Sequence, residues 1–128
     1  MLKLASDTVK IEGLKAEMYF ALGVADRAFA DEGQECIITS ACDGTHLPDS
    51  KHYAGEAVDL RNKQLSDDQK TRILAKLERL ERYGFDVIDE APKATANTTG
   101  QHFHVEYDPK QGEKFFRPLI PDLHADVT

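Results

Sequence analysis

The chain has 128 residues, of which 41% are hydrophobic and 30% are charged, and its formal net charge is −7. This composition excludes a disordered or fibrous protein, and the length fits one domain with its own core. The acidic balance argues against nucleic acid or a membrane surface as a partner, because both are bound through basic faces. We therefore expect a single acidic domain over residues 1–128, acting as a monomer.

The N-terminal residues lack the apolar stretch of a secretory signal, and no run is long enough to span a membrane. We therefore expect synthesis in the cytoplasm without a signal peptide. If the segment from Cys36 to Cys42 is extended as one strand, the two cysteines lie roughly 20 Å apart. Because a disulfide needs Cα atoms within about 7 Å, we expect both to be reduced thiols.

Hydrophobic periodicity predicts the order helix–strand–strand–helix–strand–strand. The first helix is predicted from residue 11 to about residue 32, with Gly33 as its stop. The second opens with a capping box of Ser66 and Gln69 and ends at Gly84. Strands are predicted at residues 35–41, 56–61, 85–89 and 101–107. This order predicts an α+β domain in which two helices pack on one face of a small antiparallel sheet.

Histidine is the unusual residue here, because four of the five histidines fall in two short segments. In the last predicted strand, side-chain alternation places His102, His104 and Glu106 on one face. Phe103 and Val105 then point to the other face, where they can pack on the helices. The alternative interpretation is an ordinary solvated polar face, and it is weakened by the second cluster of histidine and aspartate.

This second cluster lies between residues 50 and 59. Asp59 is in a predicted strand with the small Ala57 on the same face, and His52 precedes it with Gly55 available for the turn between them. A His from a loop, an Asp from one strand and a His from another supply two nitrogens and one oxygen. Zinc accepts that set and keeps its fourth position open for water, as in catalytic sites. Paired Cys-x-x-Cys motifs, which would indicate a structural zinc, are absent.

The combined pattern reads Ser50-x-His52-x-x-Gly55-x-Ala57-x-Asp59 and then His102-x-His104. It resembles the zinc-site signature of the D-Ala-D-Ala carboxypeptidases and L-alanyl-D-glutamate peptidases. Relatives of this family include the vancomycin-resistance dipeptidases, phage endolysins and the metal site of the hedgehog signalling domain. The resemblance covers roughly residues 35–108 and implies the same small α+β fold, with a compact layout closest to short phage-encoded members.

The resemblance implies a role for each matching residue. His52, Asp59 and His104 would be the ligands of one zinc ion. His102 would lie beside the metal and hydrogen-bond the substrate or the developing oxyanion. Ser50 would contact the substrate backbone or fix the loop. His46 would bind the substrate, with an ordinary loop role as an equal alternative.

The family's general base is an acidic residue upstream of the last ligand. Some members carry it three residues before that His, where this chain has Gln101, which cannot take a proton. The hedgehog-like arrangement points instead to Glu90, with Asp89 and Glu106 as alternatives. Strand alternation puts Asp89 and Glu90 on opposite faces, so only one of these two can face the site.

The resemblance implies a zinc peptidase that hydrolyses amide bonds in the stem peptides of peptidoglycan. Its target is either the terminal D-Ala-D-Ala bond or the internal L-Ala-D-Glu bond. Many carboxypeptidase members carry an Arg before the first ligand, but residues 39–44 contain none, and Lys51 and Arg61 are the candidate substitutes. The missing Arg favours the internal bond or a broad specificity.

The size of the chain and the family analogy together suggest a phage endolysin. Such a protein would act on the cell wall after release by lysis or from a virion. Two alternatives remain from other functional classes. One is a non-catalytic zinc-binding module like the hedgehog domain, and the other is a virion-associated structural protein.

Overall fold

The computed structural model describes residues 1–42, 51–52, 54–90 and 101–108. In this part, the elements in chain order are β1 (Leu2–Leu4), α1 (Ala16–Ala30), β2 (Cys36–Ser40), β3 (Ala57–Arg61), α2 (Asp67–Glu78), a 3₁₀ helix (Arg79–Tyr83), β4 (Phe85–Asp89) and β5 (His102–Tyr107). The fold is therefore α+β, as predicted. None of the described helices is both long enough and apolar enough to cross a membrane.

The five described strands form one mixed sheet in the order β1-β2-β3-β5-β4. The pairs β2–β3, β3–β5 and β4–β5 are antiparallel, whereas β1 pairs with β2 in parallel. The prediction of a purely antiparallel sheet is therefore wrong at this edge. Strand β1 has only three residues, too few to show alternation in the sequence. Its parallel pairing is possible because α1 supplies the long crossover that such a pair needs.

Helix α1 is shorter than predicted at its N-terminal end. Its N-cap, Lys15, has an extended backbone, and Gly13 has a φ of 94°, so the residues before the helix form turns. At the other end, the backbone N–H of Gln34 donates to the carbonyl of Phe29, and Gly33 has a φ of 69°. The predicted stop at Gly33 thus marks the end of the turn that follows the helix.

The predicted start and stop of the second helical segment are confirmed. The Ser66 side chain accepts the backbone N–H of Gln69, and the Gln69 side chain accepts the backbone N–H of Ser66. Helix α2 passes into the 3₁₀ helix at Arg79, and Gly84 ends it with a φ of 95°. Reciprocal capping satisfies backbone donors that would otherwise have no partner at the helix start.

The helices cover one face of the sheet. The ring of Phe29 on α1 meets that of Phe103 on β5 at a centroid distance of 6.4 Å. Ile73 and Leu77 of α2 belong to the same hydrophobic core as Phe103 and Val105. This leaves the opposite face, which carries the histidines of β5, for polar side chains. Both cysteines are free thiols, as expected.

Candidate metal centre

Strands β3 and β5 bring the polar side chains together because they pair in register. Asp59 lies opposite His104, and the next pair on the same face joins Arg61 to His102. The alternation predicted for β5 is confirmed, since Phe103 and Val105 are buried while the polar residues between them are half-buried. The sheet therefore presents an aspartate and two histidines side by side on the face that the helices do not cover.

A turn before β3 carries His52 onto this face. The turn is closed by hydrogen bonds from Gly55 N–H to the carbonyl of His52 and from Glu56 N–H to the carbonyl of Lys51. Gly55 has a φ of 73°, and a Cβ at this position would lie 2.1 Å from the carbonyl oxygen of Gly13. Glycine is therefore required both by the backbone conformation and by the close approach. The turn buries His52, whose exposed fraction is only 5%.

Three side chains converge at the centre of the site. His52 Nε2 lies 3.4 Å from Asp59 Oδ2, and His104 Nδ1 lies 2.8 Å from Asp59 Oδ1. One ligand atom from each of the three lies within 4.8 Å of the others. This set of two imidazole nitrogens and one carboxylate oxygen could hold a metal ion, and its donor chemistry suits zinc as well as other divalent transition metals.

Each of these histidines has its other ring nitrogen engaged by an oxygen. His52 donates from Nδ1 to the carbonyl of Ala41 at 2.7 Å, and His104 donates from Nε2 to Glu106 at 2.9 Å. Metal-binding histidines are commonly oriented in this way, because the outer hydrogen bond fixes the tautomer and the ring plane. The inner nitrogens, His52 Nε2 and His104 Nδ1, consequently face Asp59. Sequence analysis could not identify the Ala41 carbonyl, because a backbone group carries no residue-specific signal.

Glu90 and His102 lie at the edge of this set. Glu90 Oε2 is 3.6 Å from His102 Nε2, and Glu90 Oε1 is 3.7 Å from His104 Nδ1. His102 Nε2 in turn lies 3.7 Å from Asp59 Oδ2. Asp59, Glu90 and His102 thus form a second group whose ligand atoms lie within 4.8 Å of one another. The Glu90 side chain is 36% exposed, so it lines the open side of the site.

The three acidic candidates for the general base occupy different positions. Asp89 faces away from the site, where its Oδ1 accepts a hydrogen bond from the Asn62 side chain at 3.2 Å. Glu106 is engaged with the outer nitrogen of His104. Among the three, Glu90 alone lies within 4 Å of both His102 and His104. The structure thus brings Glu90, rather than Asp89, to the site.

In the metal-free protein, Asp59 and His104 stabilise each other's charged forms. Burial alone would raise the pKa of Asp59, but hydrogen bonds with His104 and His52 outweigh it and hold that pKa well below its usual range. Burial alone would lower the pKa of His104, yet its hydrogen bond with Asp59 prevails and raises the pKa to about 9. Asp59 is therefore ionised at neutral pH, as a metal ligand must be.

Other residues singled out in the sequence are not all part of this cluster. Ser50 and His46 lie outside the described residues. Lys51, one candidate replacement for the missing arginine, forms an ion pair with Glu56 at 3.7 Å. Arg61 lies on the same strand and the same face as Asp59.

The arrangement combines a buried set of metal donors with a carboxylate at its exposed edge. Such a site can hold a cation while the carboxylate accepts a proton from a molecule bound next to it. No family model matches the chain, and neither a curated protein nor a solved structure matches it significantly.

Proposed function

We propose that the chain is a zinc-dependent peptidase that hydrolyses an amide bond in peptidoglycan stem peptides. The observation that carries this proposal is the convergence of His52, Asp59 and His104, with each imidazole oriented from behind by an oxygen. Three protein ligands are the number that catalytic zinc sites use, because a fourth position stays open. The substrate class and the choice between the D-Ala-D-Ala and L-Ala-D-Glu bonds rest on the motif resemblance.

Zinc held by these ligands would polarise the scissile carbonyl and make a water molecule acidic enough to react at neutral pH. Glu90 then accepts a proton from the attacking water and transfers it to the leaving amine. Its carboxylate is suited to this role because it is partly exposed and lies within 4 Å of two site histidines. His102 donates a hydrogen bond from Nε2 to the oxyanion that develops on the former carbonyl.

The central experiment measures metal content and peptide release in the same samples. The purified chain is loaded with one equivalent of zinc and incubated with purified peptidoglycan, and the released fragments are analysed by mass spectrometry. We expect fragments in the presence of zinc and none after treatment with a chelator. Released D-Ala identifies the terminal bond as the target, whereas a new amino terminus on D-Glu identifies the internal bond.

Glu90→Gln tests the assigned base. We expect this variant to keep zinc and to lose about 10²- to 10⁴-fold in kcat, the usual contribution of general acid–base catalysis. Asp86→Asn is the matched control, because Asp86 is a half-buried carboxylate on the same face of β4, the strand that Glu90 directly follows. Zinc binding without fragment release from the parent protein would instead indicate the non-catalytic module.

A lytic role follows from the same activity. A phage-type endolysin would reach the wall after cell lysis or from a virion. The peptidoglycan fragments found after lysis would then match those that the purified chain releases. A virion-associated structural protein would bind particles without releasing peptides from the wall.

A further inference from the structure

Asn62 directly follows β3, and its side chain is completely buried. Strand alternation places this side chain on the face that the helices cover, opposite to the face of Asp59 and Arg61. Within the described part of the chain, its Oδ1 has no hydrogen-bond partner. A buried amide with an unsatisfied oxygen costs free energy, so packing alone does not explain an asparagine at this position.

Asn62 is hydrogen-bonded to both segments that lead to the edge of the metal centre. Its Nδ2 donates to Asp89 Oδ1 at 3.2 Å, and its backbone N–H donates to the carbonyl of Gln101 at 3.1 Å. In the chain, Asp89 directly precedes Glu90. In the same way, Gln101 directly precedes His102. One residue at the end of β3 thus holds the neighbours of both side chains to which the proposed proton transfer and oxyanion contact are assigned.

The bond between the side chains of Asn62 and Asp89 joins two strands that are not neighbours. β3 and β4 lie on either side of β5, so they are separated by two strand spacings, roughly 9.5 Å. Asn62 comes one residue after Arg61, which pairs with His102. Asp89 pairs with Phe103. The bond therefore crosses β5 beside His102, on the face opposite to its imidazole.

This crossing bond lies where Glu90 leaves the sheet. Glu90 N–H donates to the carbonyl of His102 at 3.0 Å, just beyond the end of β4. Among the described strands β4 is an edge strand, and hydrogen bonds at the end of such a strand open easily unless a further contact holds them. The Asn62 side chain supplies that contact, because it anchors Asp89 from the far side of β5.

We propose that Asn62 is a positioning residue, which keeps Glu90 and His102 in place by holding Asp89 and Gln101 from the covered face of the sheet. This inference rests on the proposed peptidase function and adds a residue that acts from behind the sheet. Because the Asn62 side chain is on the face opposite to the metal centre, its removal leaves the three candidate ligands intact. Metal binding and the placement of Glu90 can therefore be separated by experiment.

The first test removes the crossing bond from each end in zinc-loaded protein. Asn62→Ala deletes the donor, and Asp89→Ala deletes the acceptor, so either variant suffices if the other does not fold. We expect each to lower kcat for peptide release about 10- to 100-fold, with KM and zinc affinity changed less than about threefold, because the base is misplaced while the metal ligands remain. Asp89→Asn keeps an oxygen that can accept the same bond, so it should retain most of the parent kcat.

Ile73→Val separates positioning from a general loss of stability. It trims a buried side chain of α2, away from the ends of the strands, and it should keep the parent kcat. Urea unfolding measures the stability of every variant. A loss of kcat in Ile73→Val as large as that in Asn62→Ala, or a loss in Asp89→Asn equal to that in Asp89→Ala, would overturn the proposal.

Hydrogen exchange at the Glu90 N–H, followed by NMR, tests the proposal without a peptidase assay. Relative to the amides of α1, this exchange should be at least about 10-fold faster in Asn62→Ala and Asp89→Ala than in the parent, and unchanged in Asp89→Asn. Unchanged exchange in both alanine variants would overturn the proposal. If these variants speed the exchange but the parent releases no peptide, Asn62 still holds the end of β4, and only the proposed peptidase function fails.

Discussion

The two candidate histidine ligands are oriented by different kinds of partner. His52 donates to a backbone carbonyl, that of Ala41, which no side-chain substitution removes. His104 donates to the carboxylate of Glu106, which can be changed without touching a candidate ligand. Glu106 is therefore the residue at which the outer hydrogen bond of the site can be tested.

Glu106→Ala should weaken zinc binding by about 10- to 100-fold, the usual effect of losing such a partner. Glu106→Gln should have a smaller effect, because its amide oxygen can still accept the Nε2–H of His104. Competition with a chromophoric chelator measures both affinities. Glu78→Gln, an exposed change on α2, serves as control, and unchanged affinity in Glu106→Ala would refute the orienting role.

Cys36 gives a pH dependence that is separate from the metal site. Burial raises the pKa of its thiol to about 12, from 9.0 for a solvated thiol. Above pH 9 the unfolded chain therefore loses a proton that the native chain keeps, so the free energy of unfolding should fall as pH rises. The expected slope is up to about 1.4 kcal/mol per pH unit.

Urea unfolding under reducing conditions at pH 8, 9 and 10 measures this slope. Cys36→Ala removes the titrating group, so its free energy of unfolding should fall less steeply with pH, even though the smaller side chain lowers its value throughout. Parallel pH profiles for the parent and Cys36→Ala would show that the buried thiol is not responsible.

At the scale of elements, the turn between residues 51 and 56 decides whether His52 reaches the site. Its Gly55 carbonyl accepts the N–H of Lys15, the N-cap of α1, at 2.9 Å. This hydrogen bond holds the backbone N–H of Lys15 against the turn, so α1 starts after Lys15 and later than its apolar stripe suggests. The turn and the helix start thus form one unit in which Gly13 and Gly55 lie against each other.

Three glycine-to-alanine substitutions separate the cost of the backbone conformation at Gly55 from the cost of its close contact with Gly13. Gly23→Ala, within α1 and with no atom within 4 Å of the new Cβ, should stabilise by about 0.5–1 kcal/mol. Gly33→Ala has equal space but a φ of 69°, so it should destabilise by about 1 kcal/mol. Gly55→Ala combines a φ of 73° with a Cβ 2.1 Å from the Gly13 oxygen, so it should lose the most, about 3 kcal/mol or more.

Urea unfolding of the metal-free variants measures this series, and Gly55→Ala should also weaken zinc binding because the turn positions His52. If Gly55→Ala were no less stable than Gly33→Ala, the close approach to Gly13 would not be a constraint.

At the scale of the whole molecule, the metal centre joins three separate parts of the chain. His52 comes from the turn, Asp59 from β3 and His104 from β5. The unfolded chain does not hold these residues together, so an ion that binds them stabilises the native state. A bound metal ion would therefore link the turn to the sheet as well as serve the proposed chemistry.

Zinc at 100 times its dissociation constant should raise the free energy of unfolding by about 2.7 kcal/mol, and a chelator should reverse the gain. Thermal or urea unfolding with and without zinc measures it. His52→Ala should abolish the gain, whereas His102→Ala should keep it. If His102→Ala abolished the gain and His52→Ala kept it, the ion would be assigned to the group of Asp59, Glu90 and His102.

The sequence by itself determined the features that depend on neighbours along the chain. Alternation in β5 fixed which side chains face the core, and Ser66 with Gln69 fixed the start of α2, because these interactions span only a few residues. The motif also contained all three residues of the central cluster. Alternation further required that Asp89 and Glu90 face opposite sides.

Only the tertiary structure decided how separate segments meet. The register between β4 and β5, in which Glu90 N–H donates to the carbonyl of His102, determines that Glu90 rather than Asp89 faces the site. Two further features depend on contacts between residues far apart in sequence: the parallel pairing of the short β1, and the position of the Ala41 carbonyl behind His52. Such contacts leave no periodic pattern along the chain, because register and approach are set by the packing of whole elements.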